Sequence, residues 1–352
     1  MDSKLGQLPN HAPLCYNIPT FWEMIMPTSS RASRGRRSLT QALKVAISLA
    51  LLAILLRAVD WRHILAELRS AYLGWVAAAW GLFLIGLVVR AWRWQGLLAA
   101  QAVFAPLGVL TRWYFVGGFF NTVLPTGFGG DVVKTYALAR YSERPGAAAG
   151  SVLIDRFSGI LALLIMGGGA LLFAPALAMP TVAWMIWLLL AGALIGAFLI
   201  VQPGLRAWLQ ARLPWLARAR IGRALLDALP AYGVAPFARA VGVSFLFNSL
   251  LIGVNVCLAR ALGLEVRLAY FLIFVPLTSL SLLLPSVGGL GVRELSYVAL
   301  FGQAGVSAAA ATALSLLFYA VTLAAGLLGG IFYLWPTAQP ELPSTVPAVR
   351  RN

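Results

Sequence analysis

Long apolar runs separated by short basic segments are the feature that most constrains this chain. Runs near 20 residues, rich in Leu and Ala, recur along it, and about 20 apolar residues let an α-helix cross a hydrocarbon core. Transmembrane β-strands would instead alternate apolar and polar residues. Only 11% of the residues are charged, whereas about a quarter are charged in a soluble domain. The sequence therefore predicts an all-α polytopic membrane protein.

The apolar runs predict about six full spans and two interrupted ones. The full spans lie at residues 41–57, 71–92, 147–173, 180–202, 236–262 and 307–335, and the interrupted stretches at 107–140 and 268–303. Apolar residues at helical spacing between Asp60 and Ser70 predict an amphipathic helix in the membrane interface. The second span ends with an aromatic and basic group that is typical of an interface belt, formed by Arg90, Trp92, Arg93 and Trp94.

We expect a single transmembrane domain at residues 39–335. Its first half covers about 41–202 and its second half about 236–335, with a basic amphipathic linker at 204–230. The basic N-terminal tail (1–38) and the Pro-rich C-terminal tail (336–352) have the composition of disordered segments. The net charge of +16 does not indicate nucleic-acid binding here, because arginines between apolar runs set membrane topology.

The distribution of arginine predicts how the interrupted stretches are placed. If both termini are cytoplasmic and each interrupted stretch returns to the side it entered, the basic segments all lie inside, as the positive-inside rule requires. If each stretch crossed fully, the arginine-rich linker at 204–230 would lie outside. The interrupted stretches are therefore predicted to be re-entrant, and their opposite entry sides predict an inverted repeat.

The two interruptions share a pattern of proline, then glycines, then charges. The first passes through Pro125, Gly129 and Gly130, and the second passes through Pro285 and Gly288. Proline ends a helix, glycine lets a ligand approach the backbone, and a helix that starts after the glycines directs its positive end toward an anion such as phosphate. Broken helices in corresponding halves mark the binding sites of many transporters. The alternative is that both are ordinary turns between spans.

Ionisable residues inside apolar helices are costly and are usually functional or paired. Asp155 and Arg156 lie about nine residues into the span at 147–173. We hypothesise that they form one polar cluster with the charges of both interruptions, and the alternative is a set of structural ion pairs that fix helix register. The candidate substrate-binding residues are Asn121, Pro125, Gly129, Gly130, Asp131, Lys134, Asp155, Arg156, Pro285, Gly288, Gly289, Gly291, Arg293 and Glu294.

These motifs resemble the flippase-like family that includes the transmembrane region of lysylphosphatidylglycerol synthase. The resemblance covers residues 40–335 and rests on Asn121 to Lys134, on Asp155-Arg156-x-x-Gly159, and on Pro285 to Glu294. It differs at Thr122, where the family often has a second Asn, and at Lys134, where it often has Arg. The resemblance implies translocation of an anionic phospholipid or a lipid-linked substrate across the bacterial cytoplasmic membrane.

We expect no enzymatic activity, because in the synthase a large soluble domain after the membrane region transfers the amino acid, and we expect this chain to lack that domain. We expect no metal or cofactor, since the sequence holds no metal-ligand spacing or nucleotide-binding loop, and any transport is then passive or ion-coupled. Two other functions stay open. The chain could be a membrane enzyme with Asp131 or Asp155 as base, or a non-catalytic scaffold on which an envelope-lipid enzyme docks.

Overall fold

The computed structural model describes residues 61–123, 129–177, 179–202, 204, 212, 232–281 and 291–334. Within these ranges the regular structure is helical, with no strand, which confirms the all-α fold class. The α-helices are α1 (Trp61–Ser70), α2 (Leu73–Ala99), α3 (Leu107–Val123), α4 (Gly129–Ser142), α5 (Pro145–Phe173), α6 (Pro180–Val201), α7 (Val234–Ala261), α8 (Leu268–Ser281), α9 (Val292–Phe301) and α10 (Ala308–Leu334). Short 3₁₀ turns occupy Pro175–Leu177 and Gly302–Ala304.

Five of these helices are long and apolar enough to cross a membrane, namely α2, α5, α6, α7 and α10. They correspond to five of the six predicted full spans, and the protein is a multi-pass membrane protein. The first predicted span (41–57), the linker at 204–230 apart from residues 204 and 212, and both predicted tails lie outside the described residues. The predicted amphipathic helix is α1, which packs on α10 and buries Ile64.

Each stretch that was predicted to be interrupted contains two short helices within the described residues. The helices α3, α4, α8 and α9 have 17, 14, 14 and 10 residues, and a helix needs about 20 residues to cross the hydrocarbon core. The described starts of α4 and α9 agree with the predicted interruptions, since Gly130 lies beside Gly117 of α3 and α9 begins after Gly291, whose φ is +83°. Residues 124–128 and 282–290 lie outside the described part, so the re-entrant path and the inverted repeat stay predictions.

The two predicted halves are packed into each other. The helix α2 makes its most extensive contacts with α7, and α3 makes its most extensive contacts with α10. Small residues allow the second contact, since a Cβ on Gly329 would collide with the Phe115 backbone and one on Gly326 would lie 3.4 Å from the Gly118 carbonyl. Helices in membranes associate through such close backbone approach. The interior enclosed between the halves holds the candidate site.

Candidate functional site

The first turn of α4 carries a carboxylate that two cations share. Asp131 and Lys134 are one turn apart on the same face of the helix, and the Lys134 Nζ lies 3.0 Å from the Asp131 Oδ1. From α5, the Arg156 Nε reaches the other carboxylate oxygen of Asp131. A carboxylate is favoured in a first turn because it faces the positive end of the helix dipole. Asp131, Lys134 and Arg156 form the first charged group, in which one negative charge faces two positive charges.

Close packing between α3 and α4 fixes where that turn begins. The Gly130 N–H donates a 2.7 Å hydrogen bond to the Asn121 Oδ1, which satisfies one of the unpaired donors at a helix start. A Cβ on Gly130 would collide with the Gly117 carbonyl and would lie 2.8 Å from the Asn121 amide nitrogen. Only glycine fits, and α4 therefore begins alongside α3 instead of continuing it.

Asp155 holds an arginine from α2 inside the protein. Asp155 is fully buried, and its Oδ1 accepts a 2.7 Å hydrogen bond from the Arg93 Nε while its Oδ2 accepts one from the Tyr114 hydroxyl. The Arg93 Nη1 also donates to the Ser244 hydroxyl of α7 at 2.8 Å. This network ties α2, α3, α5 and α7 together. Asp155 is a partner of Arg93 and stands behind the side chains that line the central cavity.

The prediction that Arg93 and Trp94 belong to an interface belt is wrong. Trp94 is fully buried and donates from its Nε1 to the Ser151 hydroxyl at 3.0 Å, and Arg93 is 3% exposed. The helices α3, α5 and α7 cover this end of α2, so the two side chains meet protein in place of lipid headgroups. Trp92, another residue of the predicted belt, is 41% exposed and remains at the surface.

The sequence Asp155-Arg156-x-x-Gly159 has a structural explanation in this network. Gly159 follows Asp155 by one helical turn, so both face Arg93 from α5. A Cβ on Gly159 would lie 2.9 Å from the Arg93 Nη1, and the Gly159 carbonyl accepts a 3.0 Å hydrogen bond from the Asn248 Nδ2. Asp155 provides the negative charge that pairs with Arg93, and the missing side chain of Gly159 leaves room for the Arg93 guanidinium.

The start of α9 holds a second charged group, in which each charge has its own partner. Gly291 has a φ of +83°, a conformation that favours glycine, and its N–H donates to the Glu294 Oε2 at 2.6 Å. The Arg293 Nη2 lies 2.9 Å from the Glu294 Oε1, and the Ser315 hydroxyl of α10 bonds both side chains. Arg293 and Glu294 are 4% and 1% exposed. This group is compact and neutral.

Both charged groups border one cavity of about 350 Å³ between the predicted halves. Its polar wall carries five cations, Arg90, Arg93, Lys134, Arg156 and Arg293. Three carboxylates pair with four of them, which leaves an excess of two positive charges among the described residues. The rest of the wall includes apolar and aromatic side chains such as Phe83, Leu87, Leu163, Phe247 and Phe318.

The predicted site residues fall into three groups. The cavity wall contains Asn121, Asp131, Lys134, Arg156 and Arg293. The residues that pair with these side chains or begin the two helices are Gly129, Gly130, Asp155, Gly291 and Glu294. The remaining four, Pro125, Pro285, Gly288 and Gly289, lie outside the described residues. Within the described ranges, no group of three or more His, Cys, Asp or Glu side chains is placed to hold a metal ion.

The sequence analysis missed several polar residues of the cavity wall, namely Arg90, Tyr114, Asn248, Asn255 and Tyr297. One signal was available for two of them. Asn248 and Asn255 are seven residues apart in an apolar span, a spacing that puts both on one face of a helix. The structure uses that face, since Asn255 accepts a 2.7 Å hydrogen bond from the Tyr297 hydroxyl.

Comparison with known proteins agrees with this architecture. Residues 41–330 match the family described as the lysylphosphatidylglycerol synthase TM region. The chain belongs to this family. A search of curated proteins and a search of solved structures each found no match. Membership in the lysylphosphatidylglycerol synthase transmembrane family relates the protein to lipid handling.

The two departures from the usual family pattern both lie at the cavity. The Thr122 hydroxyl donates to the Phe119 carbonyl of its own helix at 2.7 Å. Lys134 stands over the Tyr114 ring, with its Nζ 4.1 Å from the ring centre. Lysine is a point charge without the planar fork of arginine, so in this family member position 134 contributes charge without bidentate geometry.

Proposed function

We propose that the protein binds the anionic headgroup of a phospholipid or lipid-linked substrate in the central cavity and translocates that substrate across the membrane. The observation that carries the proposal is the cationic excess of the cavity wall, which has five cations, four of them paired with three carboxylates among the described residues. Ionisable residues within membrane-spanning segments mark substrate pathways, and basic pockets between such segments bind anionic lipid headgroups.

The size of the cavity fits a headgroup better than a whole lipid. A volume of about 350 Å³ lies at the lower end of small-molecule sites, and a phospholipid with both acyl chains is several times larger. The acyl chains would then remain in the bilayer while the headgroup occupies the cavity. The apolar wall, with Phe83, Leu87 and Phe318, suits the glycerol and the first methylene groups.

The arrangement supports transport in preference to covalent chemistry. Asp131 and Asp155, the two candidate bases, are both held in ion pairs, so neither is free to accept a proton from a substrate. We therefore propose a translocator without enzymatic activity, placed in the bacterial cytoplasmic membrane with both termini in the cytoplasm. The positive-inside distribution of arginine supports that orientation.

A lipid-movement assay in liposomes tests the proposal. The protein is reconstituted with fluorescent phosphatidylglycerol, and a membrane-impermeant reductant reports which labelled lipids reach the outer leaflet. We expect protein-dependent movement that Lys134→Met slows by at least about tenfold, as for loss of one charged contact. This variant should fold because Asp131 keeps Arg156 as its partner.

The matched control is Arg239→Gln, which removes an exposed arginine that stacks over Trp92 outside the cavity. This variant should move lipid at the wild-type rate. No movement of any phosphate-bearing lipid by the wild-type protein would contradict the proposal, and appearance of a modified lipid instead would favour an enzyme. Movement that depends on Arg239 and not on Lys134 would favour a surface role.

A further inference from the structure

Arg90 differs from every other cation of the cavity wall. Arg93, Lys134, Arg156 and Arg293 each lie in an ion pair. Arg90 forms no ion pair with any residue in the described ranges, and its Nε is buried without a hydrogen-bond partner. A buried donor that is left unsatisfied costs about 1–3 kcal/mol, and more when it is charged. A cationic side chain with an unsatisfied buried donor at the wall of a cavity is placed to bind an anionic ligand.

The contacts that Arg90 does make leave its donors available. Its guanidinium carbon lies 4.8 Å from the centre of the Tyr114 ring and 5.2 Å from that of Phe247. Aromatic rings attract a guanidinium at its face, whereas its N–H groups point outward in its plane as a fork that matches phosphate. The rings therefore orient the group without neutralising its charge.

Arg93, on the same helix, is an arginine whose hydrogen-bond donors are occupied by other residues of the protein. Arg93 follows Arg90 by three residues on α2 and faces the same side of that helix. Its Nε and Nη1 are occupied by Asp155 and Ser244, and it is almost completely buried. Arg93 is held by the protein, while Arg90, one turn away, has no such partner.

The positive potential is concentrated beside Arg90. Lys134 stands over the same Tyr114 ring, with its Nζ 4.1 Å from the ring centre, and it shares its one carboxylate with Arg156. The excess of two positive charges therefore lies on the Arg90 side of the cavity. Arg293, the remaining cation of the wall, is paired with Glu294 in the second charged group and adds no net charge.

We infer that Arg90 is the residue that selects the ligand, by binding its phosphate group through the guanidinium fork. The inference rests on the proposed function, since it names the contact by which the cavity would hold an anionic lipid headgroup. It also specifies the ligand chemistry, which is a phosphate ester with no requirement for a particular alcohol. The same chemistry would bind free inorganic phosphate, so the test separates the two sources.

Binding is measured by calorimetry on the full chain in neutral detergent. The probes are dioctanoyl phosphatidylglycerol, dioctanoylglycerol without phosphate, and inorganic phosphate. We expect Arg90→Gln to weaken phosphatidylglycerol binding by about tenfold to a hundredfold, as for a hydrogen bond to a charged group. The phosphatidylglycerol affinity of Arg90→Lys should lie between those of the wild type and Arg90→Gln, because lysine keeps the charge and lacks the planar guanidinium fork.

Two comparisons distinguish a ligand contact from a structural role. Binding of dioctanoylglycerol should be the same in the wild type, Arg90→Gln and Arg90→Lys, because an anion contact is lost only for the charged probe. Arg239→Gln, the exposed arginine over Trp92, should bind every probe as the wild type does. Without ligand, Arg90→Gln should unfold at the wild-type temperature or above it, because no described carboxylate loses its partner.

Several results would overturn the inference. One is wild-type affinity of Arg90→Gln for phosphatidylglycerol, and another is an equal loss for the charged and uncharged probes. A third is an equal loss in Arg239→Gln. If inorganic phosphate binds as tightly as the lipid and shows the same dependence on Arg90, the contact stands and the lipid function fails. If liposomes show lipid movement that Arg90→Gln leaves unchanged, the function stands and the contact fails.

Discussion

At the start of α4, Asp131 faces two cations, Lys134 from its own helix and Arg156 from α5, whereas at the start of α9 the one cation paired with Glu294 among the described residues is the adjacent Arg293. Both helices begin at glycines and carry a carboxylate in the first turn. Their sequences share a pattern and predicted one polar cluster formed by the charges of both interruptions. The difference shows that two helix starts with similar sequences can either balance their own charges or leave a positive excess.

The glycines at the two helix starts are required for different structural reasons. Gly130 is required because α4 lies against the backbone of α3 at Gly117. Gly291 is required because its backbone has a φ of +83°. The first start is therefore fixed by contact with a neighbouring helix, and the second by local backbone conformation. Substitutions can test each half of this comparison separately.

The largest effect is expected from Asp155→Leu, which removes the carboxylate that pairs with the buried Arg93. We expect a loss of about 3–5 kcal/mol in the free energy of unfolding, because Arg93 stays buried without its partner. The measurement is unfolding by a denaturing detergent in mixed micelles. The double variant Arg93→Met/Asp155→Leu should recover most of the loss, since it removes both charges. Equal instability of the single and double variants would contradict this pairing.

An intermediate effect is expected from alanine at the two helix starts. Gly130→Ala should destabilise by about 1–3 kcal/mol through overpacking against α3, and Gly291→Ala by about 1–2 kcal/mol through backbone strain. The control is Gly146→Ala in α5, where a Cβ meets nothing within 4 Å. The same unfolding assay should show no loss for this control. A tolerated Gly130→Ala would mean that α3 and α4 are not in close contact.

The smallest effect is expected from Ser315→Ala, which removes the hydroxyl that bonds Arg293 and Glu294. The loss should be about 1.5 kcal/mol, at the lower end of the range for a hydrogen bond to a charged group. Affinity for phosphatidylglycerol should not change, because the second charged group is neutral and compensated. Ser296→Ala, whose hydroxyl bonds only its own helix at Val292, provides the control. Weaker lipid binding in Ser315→Ala alone would place the ligand at α9.

Much of the fold was predictable because its signals are local. Runs of apolar residues set the positions of α2, α5, α6, α7 and α10, and proline with glycine marked both interruptions. Asp131, Lys134, Asp155 and Arg156 stood out because ionisable residues inside apolar helices are rare. Each of these predictions depends on the properties of one helical segment in lipid and on no contact between segments.

The missed residues depend on contacts between distant parts of the chain. Arg93 lies 62 residues from Asp155 and 151 residues from Ser244, and no local pattern links them. In a membrane both lipid and protein neighbours are apolar, so hydropathy does not tell which face of a helix is enclosed. Arg90 and Arg93 near the end of α2 therefore matched an interface belt, although both border the cavity and Arg93 is also paired with the buried Asp155.

The most direct test of the account is an experimental structure of the full chain bound to phosphatidylglycerol in a lipid nanodisc. The account predicts phosphate density within hydrogen-bond distance of Arg90 and close to Lys134, with the acyl chains outside the cavity. Phosphate density at Arg293, or on the outer surface with the cavity empty of lipid, would contradict the claim that Arg90 and the first charged group form the anion site.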